Sequence, residues 1–118
     1  MNRKQMLVAA GIDYDAAVSR FSGNSTLYET VLQSLPRDET FSKLGPALEA
    51  KDYEQAKRLT HTLKGVAGNL SVTPLYENAV QLMAALKAGN YDQAADLYDA
   101  LQNAYHQAVT AITDTAKA

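Results

Sequence analysis

The chain has 118 residues and a formal net charge of -2, with 47% hydrophobic and 20% charged residues. This length suits one domain with a proper core, and the slightly acidic balance gives no case for nucleic-acid binding. Cysteine is absent, which excludes disulfide scaffolds and thiol catalysis. No stretch approaches the ~20 apolar residues of a membrane span, and the apolar run 6–10 is too short for a signal peptide, so a cytoplasmic protein is expected.

The beginning of the chain predicts one or two short helices. Residues 1–10 favour a short helix or a frayed end. Asp13 can cap a helix that ends near Phe21. A turn then leads to another helical pattern, which Asn24 or Ser25 can cap.

The pattern that follows is interrupted twice. Pro36 stops it, and Asp38 starts a new helical pattern. The pair Gly45-Pro46 lies inside this new pattern and is expected to kink or break it. The sequence leaves open whether the two segments form one bent helix or two separate helices.

The second half of the chain predicts three longer amphipathic helices. Asp52 can cap the first of them. Thr73 can cap the second, with Pro74 at the favoured first position, and Gly89 can end it. Asn90 can then cap the third.

Four substantial amphipathic segments joined by short links favour antiparallel neighbours. The expected fold is therefore all-α. It is an up-down-up-down antiparallel four-helix bundle with one or two short N-terminal helices, in a single domain over residues 1–118.

The most informative stretch lies in the helix predicted over about residues 52–69. At about 100° per residue, its apolar side chains fall on one side, and His61 points to nearly the opposite side. The positions one turn before and after this histidine hold three cations and a glycine: Lys57, Arg58, Lys64 and Gly65. A lone imidazole is thus expected on a solvent face beside positive charge.

Two glycines in this helix, Gly65 and Gly68, need an explanation, since each should cost about 1 kcal/mol relative to Ala. They could permit close helix packing. Because both face away from the apolar stripe, clearance beside His61 for a docking partner is the preferred interpretation. Lys64 adds an ammonium suited to an anion on the imidazole. Together these residues indicate a nucleophilic imidazole that carries a phosphoryl group.

Residues 61–70, HTLKGVAGNL, resemble the His-x-Leu-Lys-Gly-x-Ala-x-x-Leu signature of histidine-containing phosphotransfer (HPt) domains. Those domains are four-helix-bundle intermediates of two-component phosphorelays. Weaker similarities extend the resemblance from about Gly11 to the C-terminal helix. The chain departs from the family at Ser71, where a glycine usually follows the leucine, and this leaves the end of the helix open.

The resemblance implies a function and a set of site residues. A receiver domain that carries phospho-aspartate docks over His61, whose Nε2 accepts the phosphoryl group and passes it to a second receiver. Lys64 is implied as a phosphate contact. The remaining residues around the histidine are implied in partner docking: Lys57, Arg58, Gly65 and Gly68.

The same resemblance implies a phosphocarrier and not an enzyme. The sequence has no Gly-x-x-x-x-Gly-Lys-Ser/Thr loop and no kinase Gly-rich loop, so no ATP site is expected. No cofactor or metal is expected on this chain, and Mg²⁺ is expected on the receiver. The partners implied are response-regulator receiver domains or a hybrid sensor kinase, with no nucleic acid and no membrane. A monomer is expected.

Two other interpretations stay open. The pattern Ala-x-x-Tyr-acid-Gln-Ala occurs at residues 50–56 and again at 88–94, which is also the look of a tetratricopeptide-like, peptide-binding repeat. A pseudo-HPt that docks without transferring phosphate is the other. The second histidine, His106, is expected to be a structural surface residue, and the tyrosines 53, 91, 98 and 105 are expected in the core.

Overall fold

The structure is a computed structural model that describes residues 2–115 and contains helices, turns and one isolated β-bridge in that range. The predicted domain 1–118 also includes residues 1 and 116–118, which lie outside the described residues. The helices, in chain order, are α1 (Arg3–Ala9), α2 (Tyr14–Arg20), α3 (Ser25–Leu32), a 3-10 turn (Leu35–Arg37), α4 (Glu39–Glu49), α5 (Tyr53–Asn69), α6 (Thr73–Ala88) and α7 (Tyr91–Thr115). The all-α prediction is confirmed.

The last four helices, α4 to α7, form the bundle. Helix α5 packs against α4 and α6, and α7 packs against α6 and, less extensively, against α4. Large side chains from all four helices are fully buried between them: Leu44, Leu63, Leu75, Leu82, Leu86 and Leu101. In the described part of the chain no helix is long and apolar enough to cross a bilayer.

The N-terminal segment contacts α3, α7 and the turn between α5 and α6. Arg3 of α1 donates to the carbonyl of Ile112 in α7 at 3.2 Å and to Glu29 Oε2 in α3 at 2.9 Å. The backbone of Ile12 forms the isolated bridge with Val72. This segment therefore lies against the turn that joins α5 to α6.

Most predicted helix boundaries are confirmed by side-chain caps. Asp13, Asn24 and Asp52 each accept a hydrogen bond from the backbone N–H three residues later. Asp38 accepts from two backbone N–H groups at the start of α4. Gly89 ends α6 in the left-handed conformation, with φ 76°.

Gly45-Pro46 is expected to kink or break a helix, and the break is wrong, because Pro46 lies inside the continuous helix α4. Packing holds this helix together despite the missing N–H of the proline. A Cβ at Gly45 would lie 2.7 Å from the Tyr98 hydroxyl, so the glycine lets α4 approach α7 closely. The interruption at Pro36 is real, since the 3-10 turn separates α3 from α4 and makes them two helices.

Thr73 does not cap α6, contrary to the prediction. It is the first residue of the helix, and the capping position is Val72, which makes no side-chain cap hydrogen bond. Val72 is buried, and the N–H of Thr73 donates to the carbonyl of Gly11 at 3.2 Å. The N-terminal segment thus supplies an acceptor for the N–H of the first residue of α6.

Candidate functional site

Helix α5 carries the candidate site and begins as predicted, with Asp52 accepting from the N–H of Gln55 at 3.2 Å. Its apolar side packs into the core through Ala56, Leu63 and Ala67. Thr60 is also fully buried, which the sequence interpretation missed. Its hydroxyl donates to the Ala56 carbonyl at 2.7 Å, so the polar group is satisfied inside the helix. The spacing 56, 60, 63, 67 is the signal that could have found it.

His61 lies on the opposite side of α5 and is exposed, as predicted. Lys64, one turn later, is half-buried, and within residues 2–115 no ion pair engages its ammonium. This cation can therefore turn toward an anion on the imidazole without first breaking an ion pair. A neutral imidazole in such a position can act as a nucleophile.

The two cations before His61 are held by the first turns of the helix. Lys57 Nζ lies 2.7 Å from Glu54 Oε1. The hydrogen bond between them raises the pKa of the Lys57 ammonium and lowers the pKa of the Glu54 carboxyl. Arg58 donates to Gln55 Oε1 at 2.7 and 3.2 Å. Both side chains thus lie along α5, and among residues 2–115 Arg58 forms no ion pair.

The two glycines have different surroundings. A Cβ at Gly65 would meet no atom within 4 Å, so bare backbone faces open space there. A Cβ at Gly68 would lie 3.3 Å from Cδ2 and Cε2 of Tyr76 in α6. Gly65 thus has the predicted clearance, whereas the close-packing alternative describes Gly68.

One side chain of α2, that of Arg20, contacts the end of α5, which the sequence interpretation did not foresee. Arg20 Nη2 donates to the carbonyl of Gly68 at 2.8 Å and also contacts the hydroxyl of Ser71. Ser71 has φ 57°, a left-handed conformation that favours glycine, which is a physical reason for the glycine usual at this position in the resembling family. Its N–H donates to the Gly68 carbonyl, and the next N–H, of Val72, donates to the Ala67 carbonyl. The helix therefore ends in a Schellman motif with serine in place of glycine.

The tyrosines predicted in the core, at positions 53, 91, 98 and 105, differ in burial. Tyr105 is buried and donates to the Leu35 carbonyl at 2.8 Å. Tyr53 and Tyr91 stack on each other with ring centroids 3.7 Å apart, but Tyr91 is 39% exposed, so its placement in the core was wrong. Tyr53 begins α5 and Tyr91 begins α7, so the two similar stretches 50–56 and 88–94 contact each other through these rings.

The second histidine and possible metal ligands give no competing site. His106 is exposed, with its ring edge against Phe41 at a centroid distance of 5.8 Å. Among residues 2–115 no three His, Cys, Asp or Glu side chains converge in a way that could hold a metal ion.

Helix packing and the exposed histidine define the class, an all-α bundle that presents one imidazole beside cations on a long helix. The family model of the Hpt domain matches residues 26–111, well over half of the chain. The chain belongs to the Hpt domain family, the histidine-containing phosphotransfer modules of two-component systems. No curated protein and no solved structure matches it significantly.

Membership of the Hpt domain family indicates the general function of the chain. Hpt domains are phosphocarriers and not catalytic enzymes, and they interact with receiver domains and kinases. The match begins in α3, so α1 and α2, with the weaker similarities noted near Gly11, lie outside it.

Proposed function

We propose that this chain is a phosphorelay intermediate that accepts a phosphoryl group on His61 from a phospho-aspartyl receiver domain and passes it to another receiver. One observation carries the proposal. The exposed histidine lies on the solvent side of α5, the helix that carries the motif in an Hpt-family bundle, with open backbone at Gly65.

The transfer step is a displacement at phosphorus. Nε2 of a neutral His61 ring attacks, and the N–P bond forms as the bond between phosphorus and the aspartyl oxygen breaks. The electron pair of the broken bond returns to the aspartate carboxylate, and Nδ1 keeps its proton. Passage to the second receiver is the same step in reverse. Because a protonated imidazole has no lone pair at Nε2, acceptance falls in acid.

The neighbours of His61 have supporting roles in this proposal. The ammonium of Lys64 lowers the cost of negative charge on the phosphoryl oxygens. Lys57 and Arg58 add positive potential for a phosphorylated partner, although Glu54 partly neutralises Lys57. Gly65 and Gly68 shape the docking face.

The proposal also includes the topology of the bundle, its oligomeric state, its location in the cell and its cofactors. We infer that α4 to α7 run up, down, up and down, since links of a few residues join helices that pack together. The chain works in the cytoplasm as a monomer, without a cofactor of its own. Mg²⁺ belongs to the receiver, which brings most of the catalytic groups.

The test uses phosphoramidate, a small phosphodonor that needs no protein partner. Wild type, His61→Gln and His106→Gln are incubated with it, and the intact mass and phosphorus NMR spectrum of each are recorded. The matched control is His106→Gln, because the chain has only 2 histidines and both are exposed.

We expect one acid-labile phosphoryl group on wild type and on His106→Gln, and none on His61→Gln with an unchanged helical circular dichroism spectrum. Phosphate on His61→Gln would refute the assignment. A folded wild type that takes no phosphate would instead indicate a bundle that only binds.

A further inference from the structure

Two large apolar side chains on α6 stay exposed in the bundle. Tyr76 is 40% exposed and Val80 is 39% exposed. They are four residues apart on one helix, so they lie next to each other on its surface. Single exposed apolar residues are ordinary, but an adjacent pair beside a functional residue calls for an explanation.

The ring of Tyr76 lies on the same side of α5 as His61. Gly68 follows His61 by seven residues, so its missing side chain would point within about 20° of the imidazole and about 10 Å further along the helix. The ring of Tyr76 occupies the space beside it, 3.3 Å from where a Cβ would be. Because Gly68 has no side chain, the ring of Tyr76 can pack against α5 on the side that carries His61.

Val80 extends this apolar surface toward the histidine. The link between α5 and α6 is residues 70–72 only, and the two helices pack along their lengths. A helix that turns back after so short a link runs antiparallel to the one before it. Val80, one turn after Tyr76, then lies closer to the level of Gly65 and Lys64.

We propose that Tyr76 and Val80 form the apolar part of the surface that docks a receiver domain. Tyr76 packs against Gly68 in this surface. This inference rests on the proposed function and names contacts for it on α6. Interfaces typically combine an apolar centre, in which tyrosine is enriched, with a polar rim.

The residues around Tyr76 and Val80 indicate that a receiver domain binds this surface. The surface is continuous with the face of His61, where the phosphoryl group has to arrive. Arg20 contacts the Gly68 carbonyl beside the tyrosine, and Lys64 lies one turn after the histidine without an ion-pair partner among the described residues. An apolar centre between two cations suits a partner that brings a phosphoryl group and acidic residues.

The experiment separates docking from chemistry. The variant Tyr76→Ser/Val80→Ser is compared with wild type and with Tyr91→Ser/Val8→Ser. The latter removes the same two residue types from other exposed positions, where Tyr91 is 39% and Val8 51% exposed. Each protein is phosphorylated in two ways: by phosphoramidate, and by the receiver domains encoded in the same genome, each loaded with acetyl phosphate.

We expect Tyr76→Ser/Val80→Ser to accept phosphate from receivers about tenfold or more slowly, with phosphoramidate labelling as in wild type. The control should behave as wild type in both assays. Equal receiver rates for wild type and Tyr76→Ser/Val80→Ser would overturn the inference. A wild type that phosphoramidate labels but no receiver does would also overturn it, while leaving His61 as phosphoacceptor. Failure of phosphoramidate labelling would overturn the proposed function itself.

Discussion

The two halves of the motif stretch in α5 differ in what surrounds them. The open half, residues 61–65, has an exposed imidazole and bare backbone at Gly65. The covered half, residues 67–71, is held by Tyr76 and by Arg20. Glycines on the same side of one helix therefore have two uses, access in the open half and packing in the covered half. The sequence pattern is the same for both, and only tertiary neighbours distinguish them.

The largest expected effect is the loss of stability caused by Gly68→Leu. The new side chain meets the ring of Tyr76, and overpacking of this kind costs about 1–3 kcal/mol in free energy of unfolding. Urea unfolding measures the change, and Gly68→Leu/Tyr76→Ala should recover part of it. No recovery in the double variant would show that Tyr76 does not cover this half.

The same substitution in the open half should act on transfer instead. Gly65→Leu meets no neighbouring atom at its Cβ and improves helix propensity by up to about 0.8 kcal/mol, so stability should not fall. Phosphate transfer from a receiver should slow about tenfold, because the side chain stands where the partner approaches. Gly65→Ala is the control, with a smaller effect on the rate. An unchanged rate for Gly65→Leu would show that access at this position is irrelevant.

Removing the Arg20 side chain should lower the stability of the fold and leave phosphorylation of His61 unchanged. Arg20→Ala loses the 2.8 Å hydrogen bond to the Gly68 carbonyl, and the free energy of unfolding should fall by about 1 kcal/mol. Labelling of His61 by phosphoramidate should be unchanged. A labelling rate that falls with Arg20→Ala would mean that the two halves do not act separately.

The smallest expected effect is on stability, at the ends of α4 and α5. Arg20 contacts the end of α5. Lys51 and Ser71 both follow a helix with φ 57°, where glycine is favoured. Lys51 is exposed, and Lys51→Gly should raise the free energy of unfolding by up to about 1 kcal/mol. Ser71→Gly should gain less, since the contact of its hydroxyl with Arg20 is lost. Thermal unfolding of both variants is the measurement, and equal gains would contradict a stabilising role for that contact.

Local chemistry made much of the fold and of the open half predictable. The cap at Asp52, the left-handed Gly89 and the exposure of His61 depend on neighbours within a turn or two, which a sequence displays. The amphipathic stripe of α5 depends on helical spacing alone.

What could not be predicted depends on residues far apart in the chain. Arg20 reaches Gly68, and Tyr98 approaches Gly45 inside α4, across separations that no local pattern encodes. The same holds for the start of α6, where the N–H of Thr73 donates to the carbonyl of Gly11 and the capping position is Val72. Tertiary packing decided each of these positions against its local propensity.

The most direct measurement locates the phosphoryl group on the wild-type protein after transfer from a phosphorylated receiver. The protein is kept at alkaline pH, digested, and its peptides are sequenced by fragmentation mass spectrometry. The expected result is a single phosphoryl group on His61, stable in alkali and lost in acid. A phosphoryl group on His106 or on any other residue, with none on His61, would contradict the assignment of α5 as the phosphate-carrying helix.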